Sequence, residues 1–295
     1  MKIKKSPEQR IFEVFNTIFM LCLMAVMLYP FLYVVAASLS NETAVLSGNI
    51  GIIPSGFNIR AYQVVLRYPS IWTAYRNTIM YTLVGTGINL VMTVCGAYPL
   101  SRKRFYGRSV FTFFIAFTMF FSGGMIPTYL VIQAYGMVDT FWVMVIPTAI
   151  STWNMIIMRT FFQGIPDAME EAAIIDGCND IQVLFRIILP LSTASIMTIG
   201  LFYAVDHWNR FMQGLIYLRD ANRYPLQLVL RQIVLQNQVN DLLGGDWGVS
   251  NDGSRLMAET VKYATIVVAV VPILCVYPFI QKYFVKGVMV GSIKG

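Results

Sequence analysis

The chain has 295 residues, 57% of them hydrophobic and 13% charged, with a mean hydropathy of +0.62. Soluble domains are nearer a quarter charged, so this composition excludes a globule surrounded by water on most of its surface. The formal charge of +7 does not point to nucleic acid. The basic residues flank long apolar blocks, where they mark the cytoplasmic side of a bilayer.

The N-terminus, Met1-Lys-Ile-Lys-Lys5 followed by an apolar run, has the outline of a signal peptide. The run over 14–37 is longer than the hydrophobic region of such a peptide, about 7–15 residues, and is read as an uncleaved first span. An outer segment over about 38–76 follows. Further blocks of roughly the 20 residues needed to cross a bilayer lie at about 77–100, 109–133, 140–160, 187–206 and 262–284. Within Asn77–Leu100 and Val110–Gln133 there is no acid or base. Prolines 30, 99, 127, 147, 190, 272 and 278 lie in or beside these blocks. Such breaks are tolerated where neighbouring helices satisfy the freed backbone groups. The expectation is an all-α membrane protein of about six transmembrane helices packed as a bundle.

Thirteen of the 22 basic residues fall on one side, in four mostly short segments: Lys2, Lys4, Lys5 and Arg10; Arg102, Lys103, Arg104 and Arg108; Arg159 and Arg186; Lys282, Lys286 and Lys294. Both termini are therefore expected in the cytoplasm, with residues 1–10 as a short cytoplasmic N-terminus and 11–295 as one transmembrane domain. Arg102-Lys103-Arg104 reads most simply as a topology determinant and lipid-headgroup contact. Ser122-Gly123-Gly124 is either a helix break or a small-residue packing surface. The four cysteines, Cys22, Cys95, Cys178 and Cys275, have no metal or redox spacing, and no metal site is expected. His207 reads as an interfacial polar residue, and Trp72, Trp142, Tyr203 and Trp208 as an interfacial aromatic belt. The loop over about 207–261 contains a Gly- and Asp-rich stretch whose length is uncommon unless functional or disordered.

One inner segment, about 161–190, stands apart. Pro166 suits the first position of a helix, and Asp167, Glu170 and Glu171 place negative charge near the positive end of its dipole. Ala172 and Ala173 are strong helix formers small enough for close approach by a partner. Gly177 can end the helix in the left-handed conformation. Asn179 or Asp180 can then cap a second helix through Val183, Leu184 and Ile187 to Pro190. Local chemistry thus predicts a helix–glycine–helix element between two spans.

These residues also carry a resemblance. Glu171-Ala172-Ala173, three residues, Gly177, nine residues and Ile187-x-Leu189-Pro190 resemble the EAA motif of ABC importer permeases. Seven fixed positions coincide by chance on the order of once in 10⁸ starts. Phe121-Ser-Gly-Gly-Met-Ile-Pro-Thr-Tyr-Leu130 and the ending from Gln281 to Gly295 resemble the maltose-type carbohydrate permeases of MetI-like fold, in their LplC/YtcP-type oligosaccharide branch. The resemblance implies a heterodimer with a second, homologous permease, two copies of an ABC ATPase below and an extracytoplasmic solute-binding protein above. It implies that ATP and Mg belong to the ATPase, with no cofactor or catalytic residue here; no G-x-x-x-x-G-K-[ST] phosphate loop is present. Glu170, Glu171, Ala172, Ala173, Asp176, Gly177, Ile187, Leu189 and Pro190 would dock the ATPase. Gly244, Gly245, Asp246, Trp247, Asn251 and Asp252 of the outer loop would meet the binding protein. The cargo would be an oligosaccharide or polysaccharide fragment. A non-sugar solute is the alternative within the class, and an ion-coupled secondary transporter the alternative outside it; the scarcity of intramembrane acids and bases argues against the latter.

Overall fold

The computed structural model describes residues 6–235, 257–275 and 278. In chain order its helices are α1 (Pro7–Ser38), α2 (Glu42–Leu46), α3 (Arg60–Arg67), α4 (Pro69–Ser101), α5 (Arg108–Phe117), α6 (Met125–Ala134), α7 (Thr152–Gln163), α8 (Asp167–Ile175), α9 (Asp180–Leu191), α10 (Thr193–Trp208), α11 (Met212–Tyr217), α12 (Leu226–Leu235) and α13 (Met257–Cys275). No strand occurs among the described residues.

Three helices, α1, α4 and α13, are long and apolar enough to cross a bilayer. Two bent pairs raise the number to five: the 3-10 segment over Phe141–Thr148 with α7, at 51°, and α9 with α10, at 82°. The third apolar block of the sequence is divided. Its halves, α5 and α6, have ten residues each, about 15 Å apiece, so neither alone spans the hydrocarbon. The division falls at Ser122-Gly123-Gly124, where Gly124 takes φ +85° and opens α6; this stretch is a helix break.

The chain forms two compact units. The first comprises residues up to Pro69 and those from Leu230 to Val271. Its α1 starts at a capping box between Ser6 and Gln9, with Pro7 in the first turn. The apolar side chains of α1 are exposed along most of its length, as on a helix whose solvent is lipid. Only its last turn is packed, where Ala36 and Ala37 join Val45 and Ile50 in a small core flanked by Tyr33 and Tyr263. Ser38 Oγ shares a 2.7 Å hydrogen bond with Tyr62 Oη, and Ser40 Oγ donates to the Ala36 carbonyl at 2.6 Å.

The second unit, Ser70–Val229 and the residues after Val271, is built on α4. Backbone freed by the break before α7 has to be satisfied inside it. Asn89 Nδ2 donates to the Thr148 carbonyl at 2.6 Å, Arg210 Nη1 to the Met144 carbonyl at 2.9 Å, and the Ser151 N–H to Tyr203 Oη at 3.0 Å. His207 Nε2 lies 2.6 Å from Asn89 Oδ1, which leaves the Asn89 amide nitrogen directed at Thr148. His207 and Tyr203 are therefore buried within the chain's own packing, a role that their reading as interfacial residues did not include. Gly85 is what admits His207: a Cβ there would stand 2.3 Å from the imidazole Cε1. Within the expected outer loop from 207, the described residues form α11, α12 and a bracket in which Asp139 Oδ1 accepts the N–H groups of Arg219 and Asp220 at 3.0 and 3.1 Å. Those bonds hold the Asp139 carboxyl below its ordinary range.

Candidate functional site

The inner segment folds as its local chemistry dictates, with one shift. Pro166 stands one position earlier than expected, at the cap, and Asp167 is the first helical residue of α8. The far end is a Schellman motif: the Gly177 N–H donates to the Ile174 carbonyl at 3.0 Å and the Cys178 N–H to the Ala173 carbonyl at 2.9 Å. Gly177 takes φ +82°, which a β-carbon disfavours. Two residues on, Asn179 Oδ1 accepts the Gln182 N–H and Gln182 Oε1 accepts the Asn179 N–H, both at 2.9 Å, a capping box that starts α9. The middle of α9, Leu184–Ile188, widens into a π-helical turn, a departure often found at functional sites.

The element has two faces. Ala173, Val183, Leu184 and Ile188 are buried in a core with Ala97 and Tyr98 of α4 and Met158 and Phe162 of α7. Ile187 and Leu189 pack half-buried against that core. The opposite face carries Glu171, Ala172, Asp176, Gly177 and Pro190, all exposed. Ile175 at 86% exposure, Ile181 at 68% and Phe185 at 63% lie on the same element. Exposed isoleucines and phenylalanine among acids at one end of a bundle form the kind of patch that a protein partner covers.

Glu170 does not share the exposure of its neighbour Glu171. It is buried, and Arg102 Nη1 meets its Oε2 at 2.5 Å while Arg104 Nη2 meets its Oε1 at 3.0 Å. Arg102 is itself buried; it donates from Nη2 to the Phe162 carbonyl at 2.8 Å and from Nε to Ser101 Oγ at 2.9 Å, and its guanidinium lies 5.4 Å from the Tyr98 ring centre. Arg104 also bonds Asp180, and Lys103 Nζ meets Asp167 Oδ2 at 2.8 Å. The Lys103 ammonium, as hydrogen-bond donor and as charge, lowers the Asp167 carboxyl below its ordinary value. The three basic residues after α4 thus close on α8 and α9, pairings that their reading as a topology determinant and lipid-headgroup contact did not include. Sequence reasoning missed this tether; the run of three bases after one apolar block and the acids after another were its only trace.

Of the nine residues expected to dock an ATPase, Glu170 and Ala173 point into the chain's own core, and the others lie on or beside the open face. The outer-loop candidates Gly244, Gly245, Asp246, Trp247, Asn251 and Asp252 fall outside the described residues.

Comparison with known proteins places this architecture. The chain is 42% identical over 288 residues to the polygalacturonan/rhamnogalacturonan transport system permease protein YtcP of Bacillus subtilis, covering 98% of this chain and all of that protein. It is 42% identical over 286 residues to the protein LplC of the same organism, covering 97% and 96%. Its fold matches a chain in the crystal structure of a bacterial ABC transporter involved in the import of the acidic polysaccharide alginate, with a TM-score of 0.85, 36% identity and coverage of 95% and 99%. The family described as binding-protein-dependent transport system inner membrane component matches residues 7–290: this chain is a member of that family, an ABC transporter permease.

Proposed function

We propose that the chain forms half of the translocation path of an importer for an oligosaccharide or polysaccharide fragment, with a second permease, an ATPase pair on the side of α8 and α9, and a solute-binding protein on the other. Both termini then lie in the cytoplasm, and ATP is hydrolysed on the ATPase and not in this chain. The observation that carries the reading is the two-faced α8–Gly177–α9 element: an exposed surface for a partner, with an inner face locked to α4 and α7. A carbohydrate cargo is supported by the relatives, whose names give polygalacturonan, rhamnogalacturonan and alginate as what they carry.

The mechanism follows from that locking. An ATPase seated on the outer face of α8 would move α8, and the Arg102–Glu170 link would carry the displacement into α4. Coupling of this kind needs a bundle with two packed arrangements that the ATPase pair biases. Gly177→Val and Glu171→Lys test it: Glu171 is exposed, and a Cβ on Gly177 meets nothing within 4 Å, so the cost of the first variant is the local backbone strain at φ +82°. Both variants should assemble in the membrane, lose uptake of the oligosaccharide found by a ligand screen of the binding protein, and be restored by second-site changes in the ATPase. Normal uptake with the ATPase bound and coupled would show α8–α9 to be a connector. Ion-driven uptake by the purified chain alone, without an ATPase, would replace the importer reading with that of a secondary transporter.

A further inference from the structure

Arg108, six residues beyond the paired Arg102, opens α5, whose first turn has no side-chain cap. Arg108 and Arg159 of α7 line one open cleft of about 650 Å³ with Ser109, Thr112, Phe105 and Phe113. The two guanidinium groups thus bring like charges to one cleft. Arg159 Nε is buried without a hydrogen-bond partner among the described residues. Neither arginine has an ion-pair partner among the described residues, in contrast to Arg102, Lys103 and Arg104, each of which has one or more. Two like charges and a buried unpaired donor are unfavourable together unless an anion stands between them.

The chemistry of that anion follows from the lining. Guanidinium forks bind tetrahedral phosphate oxygens in paired hydrogen bonds, and the Ser109 hydroxyl adds a donor at the rim. Phe113, which lines the cleft, has Phe117 one turn further along α5 with ring centres 6.4 Å apart, and Phe113, Phe114 and Phe117 are 64%, 61% and 44% exposed, an apolar surface beside the cleft. A free phosphate would make no use of that surface; acyl chains would. We propose that Arg108 and Arg159 form a binding site for the phosphate of an anionic phospholipid, whose chains lie along the phenylalanine face of α5.

The test uses the whole transporter complex, delipidated in detergent and returned to nanodiscs of phosphatidylglycerol or of phosphatidylcholine, with tightly held lipid counted by native mass spectrometry. Phosphatidylglycerol should be retained and phosphatidylcholine lost. Arg108→Gln and Arg159→Gln should each weaken retention about fivefold, and the double variant on the order of 25-fold. The Arg108→Lys, Arg159→Lys pair, which keeps the charge, should retain more than the double Gln variant and so separates lost binding from lost folding. A photoreactive residue in place of Phe113 should cross-link to lipid in native membranes. Equal retention of the two lipids, an unchanged double Gln variant, displacement of the lipid by inorganic phosphate, or cross-linking of position 113 to another subunit would each overturn the proposal.

Discussion

Glu170 and Glu171 are adjacent in sequence and opposite in circumstance. On a helix, neighbours point about 100° apart, so one enters the core beside Arg102 and Arg104 while the other faces outward. Removing one partner of a buried ion pair costs about 3–5 kcal/mol, because the other charge is left uncompensated. Glu170→Ala should therefore lower the thermal midpoint of the purified permease, freed of its ATPase, steeply. Glu171→Ala should stay within about 0.5 kcal/mol of wild type, as exposed substitutions do. Equal effects in a thermal melt would contradict the burial.

Gly85 supports a second expectation at this scale. An added methyl would meet the imidazole of His207 at 2.3 Å, and His207 is pinned by Asn89. Gly85→Ala should cost about 1–3 kcal/mol by overpacking. His207→Ala in the same chain should recover most of that loss, a coupling that a double-mutant cycle measures. Asp167 offers a third expectation, concerning protons. Its carboxyl is lowered from 3.8 by Lys103, so the pair contributes stability above that ordinary value and loses it as pH falls through the lowered one. The site is open to solvent and the effect on stability small. The sensitive readout is an NMR titration of Asp167, which Lys103→Gln should return to the ordinary carboxylate range.

At the scale of elements, what was legible depended on how local its cause is. The α8–Gly177–α9 turn was readable because each determinant sits within a few residues of what it controls: Gly177 in the left-handed region, Asn179 with Gln182 across one turn. Helix breaks inside the apolar blocks were legible only in part. Ser122-Gly123-Gly124 offered a break between α5 and α6 as one of two readings, but hydropathy reports that a segment is lipid-compatible and is blind to its backbone, so the bends before α7 and α10 were not placed. The contacts that hold the break before α7 lie far away in sequence, as where Tyr203 accepts the Ser151 N–H and Asn89 reaches Thr148. The tether from Arg102 to Glu170 spans 68 residues and was hidden for the same reason. Its mate Arg104 was hidden too, because a run of bases beside an apolar block has a simpler reading that is often right.

For the whole molecule, the proposed orientation is checked by labelling. In a background without native cysteines, Tyr106→Cys, at a fully exposed position of the same inner segment, should be shielded from an impermeant thiol reagent outside intact cells, and Ser250→Cys should react. The reverse pattern would put α8 on the wrong side for an ATPase. Deleting residues 236–255 should leave the complex assembled while reducing uptake and binding-protein-stimulated ATP hydrolysis; unchanged uptake would make that loop a plain connector.

The link between Arg102 and Glu170 bears finally on efficiency. If α8 is where an ATPase pushes, the number of ATP molecules consumed per solute depends on how much of each stroke reaches α4 instead of being absorbed at the joint. A guanidinium fixed at once by Glu170, the Phe162 carbonyl and Ser101 has little freedom to yield. Arg102→Gln leaves Arg104 on Glu170, so the joint would soften without coming apart. Such a transporter should still bind its ATPase and still hydrolyse ATP, but with slippage, and its ratio of ATP consumed to solute moved should rise.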